Sequence, residues 1–528
     1  MDRGDGNVVK SSIAQMPRLA AAVLLCVATG GSVGAAERAP VGKAASPRIA
    51  GGKRPPSTFS LGVNVSAPAY WSGERSFANL VVGSGWLDPS NSWKDLPDAS
   101  VDVAGNVIAP PANKGLNKIL TPPAAVWSGT GATIRCTWTG SGIIYAGGAH
   151  QKDVRGDHSL EFFWPAGKQP DVRVWIEMWG TTASDPMRTI DCREKDLARS
   201  ELFAPEFVQS LHPYGVVRFL DWENANANAN VTWATRTPAD GINQSAWFGA
   251  AIENMIALAN QADVDPWFNI PWNADEDYVR RYAQLVHDGI PAYRHVYVEV
   301  SNEVWNYSYG VAHQSESEGL AQGLSTNPFT ANLFRYAEKT SWAMKIWAKV
   351  FADRPGQLVR VAASQNDNAW VAGMILNHGD TAANVDALAT APYFGLDLLT
   401  GANATSTDLD ALMGQMATYA STMLSGKTAD NAAVAKQYGK RFITYEAGQH
   451  VLTQTAIDML GRVNRDPRMY TIYKNYITDW KTRYNDTMTL YVGTGPVSSF
   501  GAFGLREYAG QPLAQTPKLQ AVVEMGRR

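Results

Sequence analysis

From residue 215 onward, short segments rich in β-branched and aromatic residues alternate with longer segments of helical character. Such short segments predict strands, and their alternation with helices predicts a parallel sheet. The predicted strands occupy residues 215–221, 264–272, 296–301, 358–364, 385–394, 441–448 and 487–494, and an earlier segment at 59–66 predicts one more. Eight strands joined by helical crossovers are typical of a closed (β/α)8 TIM barrel, so we predict this α/β fold class.

Four stretches between these strands carry clear helical patterns. They are residues 244–262, 273–289, 329–352 and 469–484, with further helical material from 408 to 438. Asn273, with Glu276 three residues later, has the arrangement of a capping pair and predicts where the second of these helices begins. In each case a helix follows a strand, as a barrel of this class requires.

Residues 84–200 differ from the rest of the chain, because short β-rich runs follow one another there with Gly, Pro, Asp and Ser turns between them. This pattern predicts an all-β module of the sandwich or jelly-roll type. We assign residues 58–83 to the first barrel strand and its loop, 84–200 to an insertion after that strand, and 201–528 to the remainder of the barrel. The alternative is an independent N-terminal β domain followed by an incomplete barrel. The aromatic runs of the module suit either a carbohydrate-binding role or a structural lid.

The N-terminal segment has the layout of a secretory signal peptide, with the basic Arg18 before a short apolar run and small residues after it. We assign residues 1–36 to this peptide and 37–57, rich in Pro, Gly and Ala, to a disordered leader. Translation begins at Met1 or at Met16. The expected location is secreted or periplasmic. No later segment has the run of about eighteen apolar residues that predicts a membrane span, so we expect no membrane association after cleavage.

The chain has three cysteines, of which Cys26 lies within the predicted signal peptide. Cys136 and Cys192 remain after its removal. An exported protein with two cysteines favours one disulfide between them. Two buried free thiols are the alternative.

Charge and motif content argue against several classes of function. The formal net charge is −3, so nothing favours nucleic acid as a partner. The sequence contains no HExxH zinc motif, no Walker loop, no Rossmann fingerprint and no GxSxG elbow. We therefore expect neither a catalytic metal nor a cofactor.

Two glutamates lie at the ends of predicted strands that are three strands apart. Glu303 ends the fourth strand and Glu446 the seventh, and the C-terminal ends of barrel strands face the active-site mouth. A regular pleat puts Glu299 and Ser301 on the same face as Glu303, with Glu299 deeper as a buried partner for an arginine or a hydroxyl. Cleavage of a glycosidic bond needs two carboxyl groups, one to protonate the leaving oxygen and one to attack the anomeric carbon or activate water. A loop-proximal ion pair is the alternative for either glutamate alone.

Short motifs around these glutamates resemble those of the clan A glycoside hydrolases, in particular the cellulase-like branch of the family five type. SNEVWN resembles the fourth-strand motif of that clan, which implies that Glu303 is the general acid/base and that Asn302 contacts the sugar 2-hydroxyl. TYEAG resembles the seventh-strand motif and implies that Glu446 is the nucleophile. VVRFLDW implies that Arg218 lies near the nucleophile and holds it ionised, and APYF implies that Tyr393 orients it.

The chain also resembles uncharacterised exported bacterial barrel proteins described as cellulose-binding or hydrolase-like. It departs from the family five pattern at the eighth strand, where Tyr491 stands in place of a common tryptophan. Trp272 and Trp305 follow predicted strands and are candidates for stacking on a sugar, and His450 is a candidate sugar contact.

We therefore predict an exported, retaining glycoside hydrolase that uses two glutamates to cleave a poly- or oligosaccharide of plant or microbial origin. The alternative is a non-catalytic polysaccharide-binding barrel or a cell-surface carbohydrate-binding protein.

Overall fold

The computed structural model describes residues 58–110, 114–167 and 171–526. The predicted signal peptide and leader lie outside the described residues. Among the helices that are described, none has both the length and the apolar character needed to cross a membrane.

Two antiparallel sheets follow the first strand, β1 (Leu61–Asn64), before the chain enters the second barrel strand. Their strands are β2 (Leu87–Asp88), β3 (Lys94–Asp95), β4 (Leu116–Ile119), β5 (Ala132–Thr139), β6 (Ile143–Gly148), β7 (Gln151–Gly156), β8 (Ser159–Trp164), β9 (Val174–Trp179) and β10 (Arg188–Glu194). One sheet has the order β10-β5-β8-β7 and the other the order β3-β2-β4-β9-β6. Alternate residues are buried, such as Ile134 and Cys136 of β5 and Val174 and Ile176 of β9, so each sheet buries one face in the hydrophobic core.

Cys136 and Cys192 form a disulfide, which confirms the predicted pairing. The two residues are directly opposed in the antiparallel pair β5–β10. The bond therefore links the edge strand of the four-stranded sheet to its neighbour.

The remaining strands are β11 (Val216–Arg218), β12 (Asp265–Ile270), β13 (Val296–Val300), β14 (Leu358–Ala363), β15 (Ala387–Thr390), β16 (Tyr393–Phe394), β17 (Arg441–Thr444), β18 (Gly448–Gln449) and β19 (Met488–Leu490). Strands β16 and β18 pair with each other, and the others join β1 in a closed parallel barrel in chain order. The predicted (β/α)8 barrel is confirmed. Where β1 meets β19, a Cβ on Gly62 would lie 2.6 Å from Thr489 Oγ1, so the closure needs a glycine there.

Helices follow the barrel strands and cover the outside of the barrel. The α-helices in the described part of the chain are α1 (Ala124–Ser128), α2 (Pro205–Ser210), α3 (Ile252–Gln261), α4 (Glu276–Gly289), α5 (Gly310–Ala321), α6 (Pro328–Val350), α7 (Ala369–Asn377), α8 (Thr381–Asn384), α9 (Leu409–Met423), α10 (Lys427–Gln437), α11 (Ile457–Arg465), α12 (Arg468–Arg483) and α13 (Pro517–Met525). The predicted helices at 329–352 and 469–484 correspond to α6 and α12, with ends that differ by one or two residues.

Helix α3 begins later than the sequence predicts, at Ile252 rather than at residue 244. Gln244 explains the difference, because its side-chain Oε1 accepts a hydrogen bond of 2.9 Å from the Ala251 N–H. The segment between them therefore forms a loop that is closed by a side chain rather than by helical hydrogen bonds.

Helix α4 begins at Glu276 with a different capping residue from the one predicted. The Asp275 side chain is the N-cap and accepts a hydrogen bond of 2.8 Å from the Tyr278 N–H. Asn273 donates instead to the Asn228 carbonyl at 3.0 Å, in the loop that follows β11. The prediction of Asn273 as the cap is wrong, because its amide is used to hold that loop.

Two segments between β1 and β4 contact the same loop of the barrel. The Ile242 N–H donates to the Ala104 carbonyl at 2.7 Å, and the Gln244 N–H donates to the Val82 carbonyl at 2.8 Å. Since this loop leaves the C-terminal end of β11, these two segments lie beside the rim where a TIM barrel carries its active site.

Candidate active site

The candidate site is built from residues at the C-terminal ends of the barrel strands. Asn64 is the last residue of β1 and Arg218 the last of β11, while Glu303 and Glu446 lie just beyond β13 and β17. Parallel barrel strands bring their C-terminal ends to one rim. Residues that are hundreds of positions apart in the sequence therefore meet there.

Arg218 is fully buried, with 0% of its surface exposed, and binds four side chains of the site. Its Nη1 donates to Asn64 Oδ1 at 3.0 Å and to Glu446 Oε1 at 2.9 Å. Its Nη2 donates to Asn302 Oδ1 and to Glu299 Oε2, both at 2.9 Å. A buried guanidinium is stable only when it is paired and hydrogen-bonded, so these contacts fix the positions of all four partners.

Glu299 is the buried arginine partner that the sequence predicts. Its carboxylate forms an ion pair with Arg218 and also accepts a hydrogen bond of 3.0 Å from the Trp267 indole N–H. The side chain is fully buried below the rim. Glu299 therefore supports Arg218 from inside the barrel and is not open to a substrate.

Glu446 accepts hydrogen bonds on both carboxyl oxygens. Arg218 donates to Oε1, and the Tyr393 hydroxyl donates to Oε2 at 2.8 Å. Burial raises the pKa of Glu446 to about 8, and the negative charges of Glu303 and Asp221 add to this effect. Arg218 and Tyr393 lower the pKa, as the resemblance implies for Arg218, but burial outweighs them.

Glu303 is held by two neutral donors. The Tyr445 hydroxyl donates to Oε1 at 2.7 Å, and the Asn306 side-chain amide donates to Oε2 at 2.9 Å. The negative charge of Glu303 acts on Glu446 across the rim and raises its pKa. Glu303 therefore lies close enough to Glu446 for its charge to act on that group at the mouth of the barrel.

The backbone that carries Glu303 does not continue the strand. Strand β13 ends at Val300, and Ser301 and Glu303 have φ angles of 57° and 40°. The predicted regular pleat through Ser301 and Glu303 is wrong, because left-handed residues turn the chain at this point. Such conformations are uncommon for residues other than glycine and occur where the surrounding structure holds a functional side chain in place.

The Asn302 side chain is oriented by hydrogen bonds on both of its polar atoms. Its Oδ1 accepts from Arg218, and its Nδ2 donates to Asn226 Oδ1 at 3.0 Å. Asn226 belongs to the loop that follows β11. Because an amide nitrogen carries two hydrogens, Asn302 retains one N–H that can donate to a ligand at the rim.

An aromatic group that includes Tyr393 lies beside Glu446, at the carboxyl oxygen that Arg218 does not bind. The ring of Tyr393 is 4.7 Å from that of His450 and 6.5 Å from that of Tyr491, and His450 is 5.2 Å from Phe503. The peptide bond between Tyr491 and Val492 is cis. Burial lowers the pKa of His450 to about 4, so its ring is neutral at physiological pH.

The two candidate tryptophans occupy different environments. Trp305 is 7% exposed, and its ring is 6.3 Å from that of Tyr445, so it lies in the group around the two glutamates. Trp272 is 2% exposed, its indole N–H donates to Glu318 at 3.3 Å, and the Arg335 guanidinium lies over its ring. This packing leaves no face of Trp272 open to a sugar, so the structure does not support the stacking role predicted for it.

Sequence reasoning missed several polar side chains of the site. They are Asn64, Asn226, Asn306, Tyr445 and Asp221. Tyr445 lies in the TYEAG motif and Asn306 in the SNEVWN motif. Their positions close to the two glutamates in the sequence were a signal that could have found them. Asp221 lies beyond the end of β11, and burial raises its pKa to about 6 against the effect of Arg218.

The site offers two carboxyl groups in different electrostatic surroundings. Glu446 is bound by a permanently charged guanidinium, whereas Glu303 is bound by a hydroxyl and an amide. The guanidinium favours the ionised form of Glu446 against the effect of burial, whereas both donors to Glu303 are neutral. Within the described residues, no group of three or more His, Cys, Asp and Glu side chains is placed to hold a metal ion.

Comparison with known proteins gives similarity to solved structures only. No family model and no curated protein matches the chain. Among solved structures, it is similar to a GH51 arabinofuranosidase from Xanthomonas axonopodis pv. citri, with 10% identity, a TM-score of 0.41, and coverage of 62% of this chain and 67% of that one. It is also similar to AbfB, a family 51 alpha-L-arabinofuranosidase from Bifidobacterium longum, with 11% identity, a TM-score of 0.44, and coverage of 62% and 68%.

A third similar structure is a glycoside hydrolase family 5 mannosidase from Rhizomucor miehei, with 9% identity and a TM-score of 0.32. The match covers 61% of this chain and 84% of that one. All three of these proteins are glycoside hydrolases.

Proposed function

We propose that the protein is a retaining glycoside hydrolase that cleaves O-glycosidic bonds in an oligo- or polysaccharide, with Glu446 as nucleophile and Glu303 as acid/base. The observation that carries this proposal is the placement of both carboxyl groups at one barrel rim, with Arg218 bound to only one of them. A nucleophilic carboxylate must be ionised, and the guanidinium favours the ionised form of Glu446. Cleavage with retention of the anomeric configuration requires the two carboxyl groups to be about 5 to 5.5 Å apart.

In the first step, a carboxylate oxygen of Glu446 forms a bond to the anomeric carbon as the bond to the leaving oxygen breaks. Glu303 gives its proton to that oxygen, so the leaving sugar departs as a neutral alcohol. In this proposal the second N–H of Asn302 donates to the sugar bound at Glu446. The hydrogen bond from Tyr393 holds the attacking carboxylate in a fixed orientation.

In the second step, a water molecule displaces Glu446 from the anomeric carbon. Glu446 carries no charge while it is bound to the sugar, so the repulsion that it exerts on an ionised Glu303 is absent. Glu303 takes the proton of the attacking water and returns to its acid form. The sugar leaves with its original anomeric configuration, and both carboxyl groups are restored.

A barrel that binds carbohydrate without cleaving it is the second candidate. The observation that favours it is the pKa of Glu446, because a carboxyl group with a pKa of about 8 is mostly protonated at neutral pH. A protonated Glu446 is a poor nucleophile but a good hydrogen-bond donor to a sugar hydroxyl.

The direct test is a panel of aryl glycosides and plant and microbial polysaccharides, including cellulose, with the wild type and the variants Glu446→Gln and Glu303→Gln. A glycosidase loses turnover by about a thousandfold in the Glu446 variant. The exposed Glu276, in the first turn of α4, provides the matched control Glu276→Gln. Absence of turnover across the panel, with sugar binding that is unchanged by the Glu446 substitution, would favour the binding protein instead.

We further propose that the protein acts outside the cytoplasm, in the periplasm or after secretion. The Cys136–Cys192 disulfide supports this location, because structural disulfides persist in oxidising compartments. Fractionation of a host that expresses the full chain, with an immunoblot of each fraction, tests it. Recovery of uncleaved chain in the cytoplasm alone would contradict the proposal.

A further inference from the structure

The outward face of the five-stranded sheet carries tryptophans that the proposed catalytic site does not use. Alternate residues of β9 are buried in the core, which places Trp175, Glu177 and Trp179 on the outward face. Trp93, next to β3, joins them, with its ring 5.1 Å from that of Trp175 in an edge-on arrangement. Trp93 and Trp179 are each 41% exposed. We call Trp93, Trp175, Glu177 and Trp179 the tryptophan surface.

Two glycines on neighbouring strands allow the indole rings to lie close to the sheet. Gly147 of β6 is the cross-strand partner of Trp175, and a Cβ there would lie 2.2 Å from Trp175 Nε1. A Cβ on Gly115, next to β4, would lie 2.4 Å from Trp179 Cε2. Any larger residue at either position would force the ring away from the sheet. The two glycines therefore leave room for the rings to cover the sheet, with their outer faces turned away from it.

Polar groups lie between the rings. Glu177 accepts a hydrogen bond of 2.9 Å from the Trp175 indole N–H, which fixes both side chains on this face. Asp95 of β3 is the cross-strand partner of Leu87, which pairs with Asn117, and Asn117 pairs in turn with Glu177. Strand register therefore places Asp95 on the same face as Glu177. Carboxylate oxygens accept hydrogen bonds from sugar hydroxyls, and aromatic rings pack on the apolar C–H faces of sugars.

Spacing and charge define the kind of ligand that fits. Trp175 and Trp179 are four residues apart in one strand, which separates them by about 13 Å. This distance exceeds one sugar ring, so a ligand that contacts both tryptophans is at least an oligosaccharide. The Glu177 carboxylate lies between Trp175 and Trp179 in the strand, which disfavours a uronic-acid polymer and favours a neutral chain.

We propose that the tryptophan surface binds a neutral polysaccharide along β9 and acts as a second, non-catalytic carbohydrate site. The proposal deepens the proposed function, on which it rests for the choice of a polysaccharide as ligand. The loop that joins β3 to β4 of this sheet, and the short segment before β2, are hydrogen-bonded to the loop after β11 through Ala104 and Val82. A polymer held there therefore stays close to the catalytic rim, which raises its local concentration at the two glutamates.

The test is affinity electrophoresis of the full chain in gels that contain one polysaccharide each: mixed-linkage β-glucan, xyloglucan, glucomannan, arabinoxylan, polygalacturonate or alginate. All variants carry Glu446→Gln, so that cleavage does not remove the ligand. We expect the parent to be retarded by at least one neutral polymer, and Trp175→Ala/Trp179→Ala to weaken that binding at least tenfold. Tyr293→Ala is the matched control, because Tyr293 is 75% exposed before β13, at the opposite end of the barrel from the rim.

The double variant must keep the melting temperature of its parent to within a few degrees, and the single variant Trp179→Ala replaces it if it does not. Unchanged affinity in the tryptophan variant, retardation by the acidic polymers only, or no retardation by any polymer would each overturn the proposal. Cleavage of a bound polymer by the Glu446→Gln parent would refute the proposed nucleophile and leave the binding result intact. The two proposals therefore fail by different outcomes.

Discussion

Opposing contacts set the pKa of the Glu446 carboxyl group. Burial and two nearby negative charges favour its protonated form, while Arg218 and Tyr393 favour the ionised form. If Glu446 attacks as a carboxylate, kcat/KM increases as pH rises through its pKa in the free enzyme. The acid limb of the pH profile therefore reports on this one group and on the contacts around it.

Removal of the Tyr393 hydroxyl is expected to move that acid limb to higher pH. The hydroxyl donates to Glu446 at 2.8 Å and lowers its pKa, so Tyr393→Phe raises the pKa from a value that is already about 8. The measurement is kcat/KM between pH 5 and pH 10, a range of about three units below and two above that pKa. Tyr491→Phe is the control, because Tyr491 belongs to the same aromatic group but is not the donor to Glu446.

Asp221→Asn is expected to move the acid limb of the pH profile in the opposite direction from Tyr393→Phe. The negative charge of Asp221 raises the pKa of Glu446, so its removal moves the acid limb to lower pH. If the acid limb moved in the same direction in Tyr393→Phe and Asp221→Asn, the result would contradict the electrostatic arrangement described for the rim.

Individual residues differ in how far the sequence could predict them. Arg218, Tyr393 and Asn302 stand in motifs next to strand ends, and the structure places all three around the glutamates. Trp272 follows a strand in the same way, yet its indole N–H is bound to Glu318 of α5. The sequence pattern gives the end of a strand but not the direction that a side chain takes beyond it.

Loops and strand ends carry more of the site than the strand pattern indicates. Strand β13 ends before Asn302, and left-handed residues on either side of it turn the chain. The loop after β11 reaches back to Asn302 through Asn226, from a low-complexity stretch of alternating Asn and Ala. No periodic signal marks that residue, because its position depends on the folded loop.

The contribution of this loop can be measured with Asn226→Ala. The substitution removes one hydrogen bond of 3.0 Å and frees the Asn302 amide to rotate. A hydrogen bond of this kind contributes about 0.5 to 1.5 kcal/mol, so we expect kcat/KM to fall by about two- to tenfold. Asn224→Ala is the control, because Asn224 lies in the same loop and donates to the Trp247 carbonyl instead. Equal losses in both variants would point to general disturbance of the loop.

At the scale of the whole molecule, the sequence predicts the closed barrel but not the contacts between distant segments. Eight strands in alternation with helices predict the closed barrel, because hydrophobic periodicity and crossover topology leave few other arrangements. The contact between the loop after β11 and the segment that joins β3 to β4 depends on backbone hydrogen bonds between distant residues, such as Ile242 to Ala104. Contacts of this kind have no local sequence signal.

The disulfide is expected to stabilise the antiparallel sheets rather than the catalytic rim. Cys136 and Cys192 are separated by 56 positions, and closing a loop of that length restricts the unfolded chain by about 4 kcal/mol. Cys136→Ser/Cys192→Ser should lower the free energy of unfolding by up to this amount and keep aryl glycoside hydrolysis at 25 °C. Denaturant unfolding followed by tryptophan fluorescence measures the first, and an unchanged unfolding midpoint would contradict the expectation.

The central claim is that Glu446 and Glu303 act from one rim as nucleophile and acid/base. Azide rescue with an activated aryl glycoside tests it most directly. In Glu446→Ala, azide fills the vacated space and attacks once, so the account predicts a glycosyl azide of inverted configuration. In Glu303→Ala, the glycosyl-enzyme still forms and azide displaces Glu446, which predicts a glycosyl azide of retained configuration. The opposite assignment of the two products, or no azide product from either variant, would contradict the account.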